Sequence, residues 1–137
     1  MTSIRSEAFA GCESLTSIEI PDSVDSLGDN LFDGCKNLKS IKLPKRSYMQ
    51  ISSPSRSYMF RNCESLTSIT LPEGYEWIKE YEFENCKNLS SIHIPASIRG
   101  ISRLAFLGCT NLKTVRLPNR FDIKGDIFPA GCEIKRY

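Results

Sequence analysis

Residues 83–95, FENCKNLSSIHIP, contain the pattern that decides the fold of this chain. The pattern is F-x-x-C-x-x-L-x-x-I-x-[IL]-P, and it occurs five times, with Val115 replacing the Ile once. Successive cysteines are separated by 23, 28, 23, 23 and 23 residues, and they are Cys12, Cys35, Cys63, Cys86, Cys109 and Cys132. A fixed period of about 20 to 50 residues indicates a repeat architecture.

Each unit predicts one short strand that ends at a proline. The segment L-x-x-I-x-[IL] is rich in residues that favour strands, and proline stops it because proline cannot donate to a ladder. Stacked units would place these strands in a parallel sheet, with a spacing of about 4.8 Å. After the proline we expect an extended segment and then a short helical turn that directs a Phe inward, at 7–9, 30–32 and 104–106.

The unit resembles the 23-residue BspA-type (Treponema pallidum-like) leucine-rich repeat, with Phe and Cys before the L-x-x-I-x-[IL] core and Pro after it. The likeness extends from Ile4 to Cys132. The family is known mainly from bacterial surface proteins, with relatives in protozoan parasites. The resemblance implies an α/β, β-rich solenoid of right-handed coils, with a parallel sheet on the concave face and extended segments plus short helical turns on the other side. It also implies a cell-surface or extracellular location.

Length and composition fit one domain, 1–137, of five to six units. The net charge of +2 is too small to indicate a nucleic-acid or membrane-surface partner. No apolar run approaches the ~18 residues of a membrane span, and no signal peptide precedes the first unit. Ile4 lies eight residues before a Cys, as Leu27 and Ile101 do. The chain thus opens in mid-repeat, and we expect a fragment of a longer protein.

Although the number of cysteines is even, their spacing predicts neither disulfides nor a metal site. No two cysteines are closer than 23 residues, so the C-x-x-C spacing of zinc sites is missing, and His93 is the only histidine. Cysteines stacked at the strand spacing of about 4.8 Å would hold their Cβ atoms farther apart than the ~3.8 Å of a disulfide. We therefore expect small buried thiols and no cofactor.

Five additional residues fall between Cys35 and Cys63, in an insertion at 45–59 that contains Arg-Ser-Tyr-Met twice. Insertions in repeat proteins often form loops on a binding face, and exposed Arg and Tyr are enriched in interfaces. The candidate contacts in this loop are Arg46, Tyr48, Arg56 and Tyr58. The alternative is a tolerated bulge in which Tyr48, Ile51 and Met59 fill core places, since lengthening a surface loop costs little entropy.

The x positions of the strand segment predict the candidate binding face. The residue after the repeated Ile changes chemistry in every unit, whereas the residue before it is always Ser or Thr. A varied column beside a uniform hydroxyl column suits a binding sheet, and a solvated β surface has the same composition. The candidate contacts are Glu19, Lys42, Thr70, His93 and Arg116, flanked by Lys39 and Lys113.

These features favour a non-enzymatic interaction module, an adhesin-like part of a bacterial cell-surface protein. It would bind a protein or glycan, such as host extracellular matrix, through the concave sheet. The alternative is a structural spacer whose function resides in flanking domains. An enzyme is disfavoured because nothing marks an acid beside His93 and the chain has neither a phosphate loop nor a metal motif. Nucleic-acid binding is disfavoured because no aromatic row interleaves with the basic residues. Exposed end strands allow a monomer or a weak end-to-end dimer.

Overall fold

A short strand that ends near a proline is the unit of this fold, which is a parallel-strand β-solenoid of about five turns. The computed structural model describes residues 2–49 and 56–137, without the side chains of Tyr48 and Met49. The described strands are β1 (Ser3–Ile4), β2 (Ser17–Glu19), β3 (Ser26–Leu27), β4 (Ser40–Lys42), β5 (Tyr48–Met49), β6 (Ser68–Thr70), β7 (Trp77–Ile78), β8 (Ser91–His93), β9 (Gly100–Ile101), β10 (Thr114–Leu117) and β11 (Glu133–Arg136).

One face of the solenoid, called the strand face below, is carried by β2, β4, β6, β8, β10 and β11. β2 pairs with β4, and β6, β8, β10 and β11 pair in that order, all in parallel. Each pair aligns residues of equal phase, so that Ile18 lies opposite Ile41 and Ile69 lies opposite Ile92. The inward side chains of one coil therefore pack on their equivalents in the next.

The segment after each proline contributes a second set of parallel strands. β1, β3 and β5 pair in that order, and β7 pairs with β9. Ile4 lies opposite Leu27, and Ile78 lies opposite Ile101, in agreement with their common phase. The parallel strands predicted from the sequence are thus confirmed.

The predicted short helical turns are wrong. Segments 7–9, 30–32 and 104–106 form hydrogen-bonded turns, and no helix occurs within the described residues. Glu7 and Asn30 have φ angles of 60° and 54°, which a right-handed helix cannot contain. The positive φ angles of Glu7 and Asn30 therefore prevent these two turns from continuing into a helix.

These turns bind neighbouring coils through the backbone. The Phe9 N–H group donates to the carbonyl of Leu31 in the next coil, at 3.1 Å. Equivalent bonds run from Phe32 to Met59, from Phe60 to Glu82 and from Phe83 to Ala105. Donors that a helix would satisfy internally thus hold the coils together.

A stack of Phe rings runs through the core. The successive rings of Phe9, Phe32, Phe60, Phe83 and Phe106 have centroids 5.6, 5.7, 5.0 and 5.2 Å apart and lie nearly parallel. Phe128 extends the stack at 5.4 Å but is tilted by 44°. We attribute the tilt to its position four residues before its cysteine, where the other units have three.

The cysteines form a second stack, and their thiols act as donors. The four central cysteines are buried, as predicted, and Cys12 and Cys132 are partly exposed. Each buried thiol donates to the carbonyl of the Phe in the preceding coil. The pairs are Cys35 to Phe9 at 3.1 Å, Cys63 to Phe32 at 3.2 Å, Cys86 to Phe60 at 3.1 Å and Cys109 to Phe83 at 3.0 Å. Burial raises the pKa of the Cys63 thiol, which therefore keeps the proton that it donates.

Pairing with the neighbouring coils limits where the additional residues of the insertion can lie. β5 pairs with β3 as far as Met49, and a backbone bridge joins Arg56 to Glu80 of the next coil. The additional residues therefore fall within 50–55, which lie outside the described residues. Met59 is buried, with 1% of its surface exposed, as one of the two interpretations of this segment predicts.

One acidic group interrupts the apolar core in the coil that follows the insertion. Glu82 directly precedes the repeated Phe, as Leu31 and Ala105 do, and it is only 2% exposed. Burial raises the pKa of its carboxyl to about 8, while the neighbouring hydroxyls of Tyr75 and Ser57 act in the opposite direction. Within the described part of the chain, Glu82 Oε2 and the Tyr75 hydroxyl make no hydrogen bond of standard geometry. The carboxyl is therefore largely neutral below about pH 8.

The Phe stack should dominate the stability of the solenoid. Phe83 is fully buried between two rings, so Phe83→Ala should lower the free energy of unfolding by about 3–5 kcal/mol. Leu107 is 49% exposed and supplies the matched control, since Leu107→Ala should change this quantity by less than about 0.5 kcal/mol. Urea unfolding followed by circular dichroism measures both values. Similar losses in the two variants would contradict the stacking argument.

Glu82 should make stability depend on pH with a definite sign. Its pKa rises from 4.5 to about 8 on folding, so the unfolded chain releases this proton first as the pH increases. The contribution of Glu82 is therefore greatest below about pH 4.5, and the free energy of unfolding should fall by about 2–4 kcal/mol as the pH rises to 8. The nearby Lys79 favours the charged carboxylate without offsetting this burial.

Glu82→Gln should remove most of that slope in urea titrations at several pH values. The exposed Glu133→Gln variant is the control and should retain the slope. A slope that persists unchanged in Glu82→Gln would show that another group causes it.

Candidate binding face

The residues predicted to bind lie in one column on the strand face. Pairing aligns Glu19 with Lys42 in β2 and β4, and it aligns Thr70, His93 and Arg116 in β6, β8 and β10. Side chains alternate along a strand, so the neighbouring Ile or Val turns inward and these residues turn outward. His93 is partly buried and the other four are exposed.

β11 adds Lys135 to this column, a residue that sequence reasoning missed. Lys135 is exposed and pairs in register with Arg116. No Leu follows Cys132 in phase, so the pattern gave no sign that 133–136 would form a strand. The flanking candidates Lys39 and Lys113 are also exposed, next to β4 and β10.

The two ends of the column differ in charge. The Lys42 ammonium group donates to the Glu19 carboxylate at 3.0 Å, and this hydrogen bond raises the pKa of Lys42. At the other end, no ion pair within the described residues engages Arg116 or Lys135. The positive potential of the column is therefore greatest over β10 and β11.

Two open depressions meet on the strand face. One has a volume of about 370 Å³ and is lined by hydroxyl groups together with Arg116 and Lys135. The other, of about 470 Å³, lies between β4 and β6 and is flanked by Lys45 and Glu73. The residues common to both are Ser68, Ile69, Thr70 and His93. The two depressions thus form one continuous surface, on which apolar groups such as Ile69 and Leu71 lie beside the polar ones.

The larger depression lies over an interruption of the sheet. In other coils, the second residue after each strand's central Ile donates its N–H group to the next strand. These bonds run from Ile20 to Lys42, from Leu71 to His93 and from Ile94 to Arg116, at 2.8, 3.0 and 2.9 Å. Among the described strands, the equivalent bond from Leu43 to Thr70 is missing, and β4 does not pair with β6. The N–H groups of Leu43 and Thr70 therefore point toward this gap, which we attribute to the longer coil.

Tyr137 gives the cationic end of the column an aromatic surface that the sequence did not predict. Its ring stacks on His93 at 5.1 Å, and the Arg116 guanidinium lies 5.6 Å from the ring centroid. The Tyr137 hydroxyl donates to the carbonyl of Ile94 at 2.6 Å, which fixes the ring. Burial and the nearby Arg116 charge lower the pKa of His93, so the imidazole is neutral at pH 7.

The insertion candidates are separate from this column. Tyr58 stacks on Tyr81 at 6.2 Å, and the Arg61 guanidinium covers its ring at 3.9 Å. Arg56 lies 5.9 Å from the centroid of the same Tyr81 ring. Arg46 is exposed and forms a backbone bridge to the coil of β6 and β7. The side chain of Tyr48 and all of Ile51 lie outside the described residues, so the predictions for them remain predictions.

In 2–49 and 56–137, no three His, Cys, Asp or Glu side chains lie close enough together to hold a metal ion. No helix in those ranges is long and apolar enough to cross a membrane.

Comparison with known proteins agrees with the repeat architecture. The sequence model of a family described as "BspA type Leucine rich repeat region" matches residues 2–135 in six copies. The crystal structure of the T. pallidum leucine-rich repeat protein is 32% identical, with a TM-score of 0.73. A leucine-rich cell surface protein from Faecalibacterium prausnitzii A2-165 is 35% identical, also with a TM-score of 0.73. A leucine-rich repeat protein from Bacteroides ovatus is 29% identical, with a TM-score of 0.72.

These solved structures are longer than the region that matches. The alignments cover 85%, 84% and 100% of this chain but 52%, 29% and 40% of the T. pallidum, F. prausnitzii and B. ovatus chains, in that order. No curated protein matched.

Removing the additional residues should close the gap in the strand face. Deletion of residues 50–54 restores a 23-residue spacing between Cys35 and Cys63. We expect the Leu43 and Thr70 amides to exchange with deuterium faster than the Leu71 and Ile94 amides in the wild type, because they lack strand partners. In the deletion variant their exchange should slow to the rate of those two controls. Equal exchange rates for all four amides in the wild type would contradict the interruption.

Proposed function

This chain belongs to the BspA-type leucine-rich repeat family, and from that premise we propose that it is an interaction module whose strand face binds an anionic partner. The single observation that carries the proposal is the cationic end of the column. There Arg116, Lys135 and the neutral His93 lie beside the Tyr137 ring and a row of hydroxyl groups. Arg and Tyr are enriched in interfaces, and clefts with one sign of charge attract the opposite sign.

The geometry supports binding across several coils rather than at one residue. The continuous depressions extend from Lys42 to Lys135, over β4, β6, β8, β10 and β11. A partner in this position would contact one outward side chain from each coil. Changing the outward residue of one coil leaves its inward residue, and hence the core, unaltered.

The finer features of the proposal rest on likeness. The proposed molecule is an adhesin-like part of a bacterial cell-surface protein. It has a single domain of right-handed coils, and its strand face is concave. Its proposed partner is a protein or glycan such as host extracellular matrix. The support is the cell-surface description of the F. prausnitzii relative. The proposed mechanism is binding without chemistry, in keeping with the repeat family.

A spacer is the second candidate, and one observation favours it. The matched region makes up 29% to 52% of the chains of the three solved relatives. Binding in such proteins can therefore belong to other parts of the chain. The insertion candidates Arg46, Tyr48, Arg56 and Tyr58 would be structural in this case, as the packing of Tyr58 between Tyr81 and Arg61 suggests.

A charge-reversal variant separates the two candidates. We expect His93→Glu, Arg116→Glu and Lys135→Glu together to reduce retention on immobilised heparin and on extracellular-matrix extract by about tenfold or more at physiological salt. The control carries Arg5→Glu, Lys87→Glu and Arg103→Glu, which are exposed residues outside the strand face. It should bind like the wild type.

The two variants must first melt at the temperature of the wild type. Equal loss of retention in both would indicate net charge alone, and full retention in the strand-face variant would refute the proposed site. If the wild type is not retained at all, the spacer candidate is favoured.

A further inference from the structure

Trp77 is the only tryptophan of the chain, and it lies away from the strand face. It occupies β7, where it pairs in register with Gly100 of β9. Its side chain is 48% exposed, although most other large apolar residues of the described chain are buried. An exposed indole of this size needs a physical explanation.

In its observed position the indole packs so closely on Gly100 that no side chain fits there. A Cβ atom at position 100 would be 2.3 Å from Trp77 Cζ3 and 2.5 Å from Cε3. Glycine thus allows the ring to pack on the backbone of the next coil. Part of the ring is held by this contact, while nearly half of the side chain remains open to solvent.

An open depression of about 370 Å³ begins at Gly100, the residue on which the indole packs. Phe121 and Ile127 form its apolar floor, and Arg99, Arg120, Asp122 and Lys124 supply its charged groups. The Arg120 guanidinium is held in place because it donates to the carbonyl of Ile98 at 2.7 Å and also to that of Ala96. Within the described residues, Asp122 and Lys124 form no ion pair.

We propose that Trp77 and this depression form a second binding site, for an acidic oligosaccharide. The C–H face of a pyranose ring is apolar and weakly positive, and it complements the negative face of an indole. A neighbouring sugar would enter the depression, where Asp122 accepts hydrogen bonds from hydroxyl groups. Lys124 would bind a uronate carboxylate, and Arg120, held by the backbone carbonyls, would add positive charge beside it. Because Arg99 is paired with Glu76, the cations Arg120 and Lys124 against Asp122 leave a net positive charge, which favours an acidic sugar over a neutral one.

The chemistry of this surface fits a saccharide better than a protein. The centre of a protein interface is poor in charged residues, and the whole interface buries about 800 Å² on each partner. Here one aromatic ring is surrounded by charges, with Glu76 and Arg99 paired at 3.8 Å beside it. Covering a glycine across a strand pair would explain the packed side of the ring. It gives no reason for the charged depression that begins at Gly100.

Fluorescence tests this site selectively, because Trp77 is the only source of tryptophan emission. The probes are the hexamer of α-1,4-galacturonic acid and its neutral counterpart, maltohexaose. We expect a saturable blue shift with the acidic hexamer, since the sugar removes water from the indole. Acrylamide should then quench the emission less.

Two variants connect the signal to the depression. Asp122→Asn combined with Lys124→Ala changes exposed residues only, and it should weaken binding by about tenfold. Lys87→Ala, an exposed position outside both this depression and the strand face, is the matched control and should bind like the wild type. Trp77→Phe, followed by calorimetry, should also bind more weakly while still covering Gly100.

Several results would overturn the site. The site is refuted if the emission shows no saturable change up to about 10 mM of the acidic hexamer. It is also refuted if the affinity of the Asp122 and Lys124 variant is unchanged. Equal weakening by Lys87→Ala would show that net charge alone causes the binding. Equal affinity for maltohexaose would refute the acidic specificity. Because this site is separate from Arg116 and Lys135, its failure leaves the proposed function of the strand face unaffected.

Discussion

Every coil of this solenoid depends on contact between residues of equal phase in adjacent coils. The Phe rings meet at centroid distances of 5.0 to 5.7 Å along the regular part of the stack, and each buried thiol donates to the Phe carbonyl of the coil before it. The turns add backbone bonds between the same coils. One coil cannot bury its apolar side alone, so these contacts supply the core that each coil lacks. Cysteine suits its position because it is small, apolar and still a donor.

The core and the strand face respond differently to the longer coil. Across it, the rings of Phe32 and Phe60 remain stacked at 5.7 Å, and Cys63 still donates to Phe32. The Arg61 guanidinium also binds both oxygens of Asp33, at 2.9 and 2.7 Å. On the strand face the ladder is interrupted at the same level. Side-chain stacking tolerates small shifts, whereas a ladder requires donors and acceptors to align. The insertion therefore alters a surface without dividing the core.

The outward side chains are free to carry function because they do not contribute to this stack. On the strand face they produce a column that is neutralised by Glu19 and Lys42 at one end and cationic near Arg116 and Lys135 at the other. On the β7–β9 surface they place Trp77 on Gly100, where a charged depression begins. These two surfaces have different chemistry, and both are built on positions that the repeat leaves variable.

The sequence by itself determined the repeat, the parallel strands, the stacked core and the outward column, because a period of 23 residues fixes which side chains face each other. It could not reveal the turns in place of helices, since Glu7 and Asn30 adopt positive φ angles only when their neighbours bind the next coil. The roles of Lys135 and Tyr137 were also hidden, because they follow no repeat pattern and acquire neighbours only when β11 pairs with β10. The same holds for the burial of Glu82 and the seating of Trp77 on Gly100. Those depend on contacts between residues about one coil apart in the chain, whose distances only the tertiary structure sets.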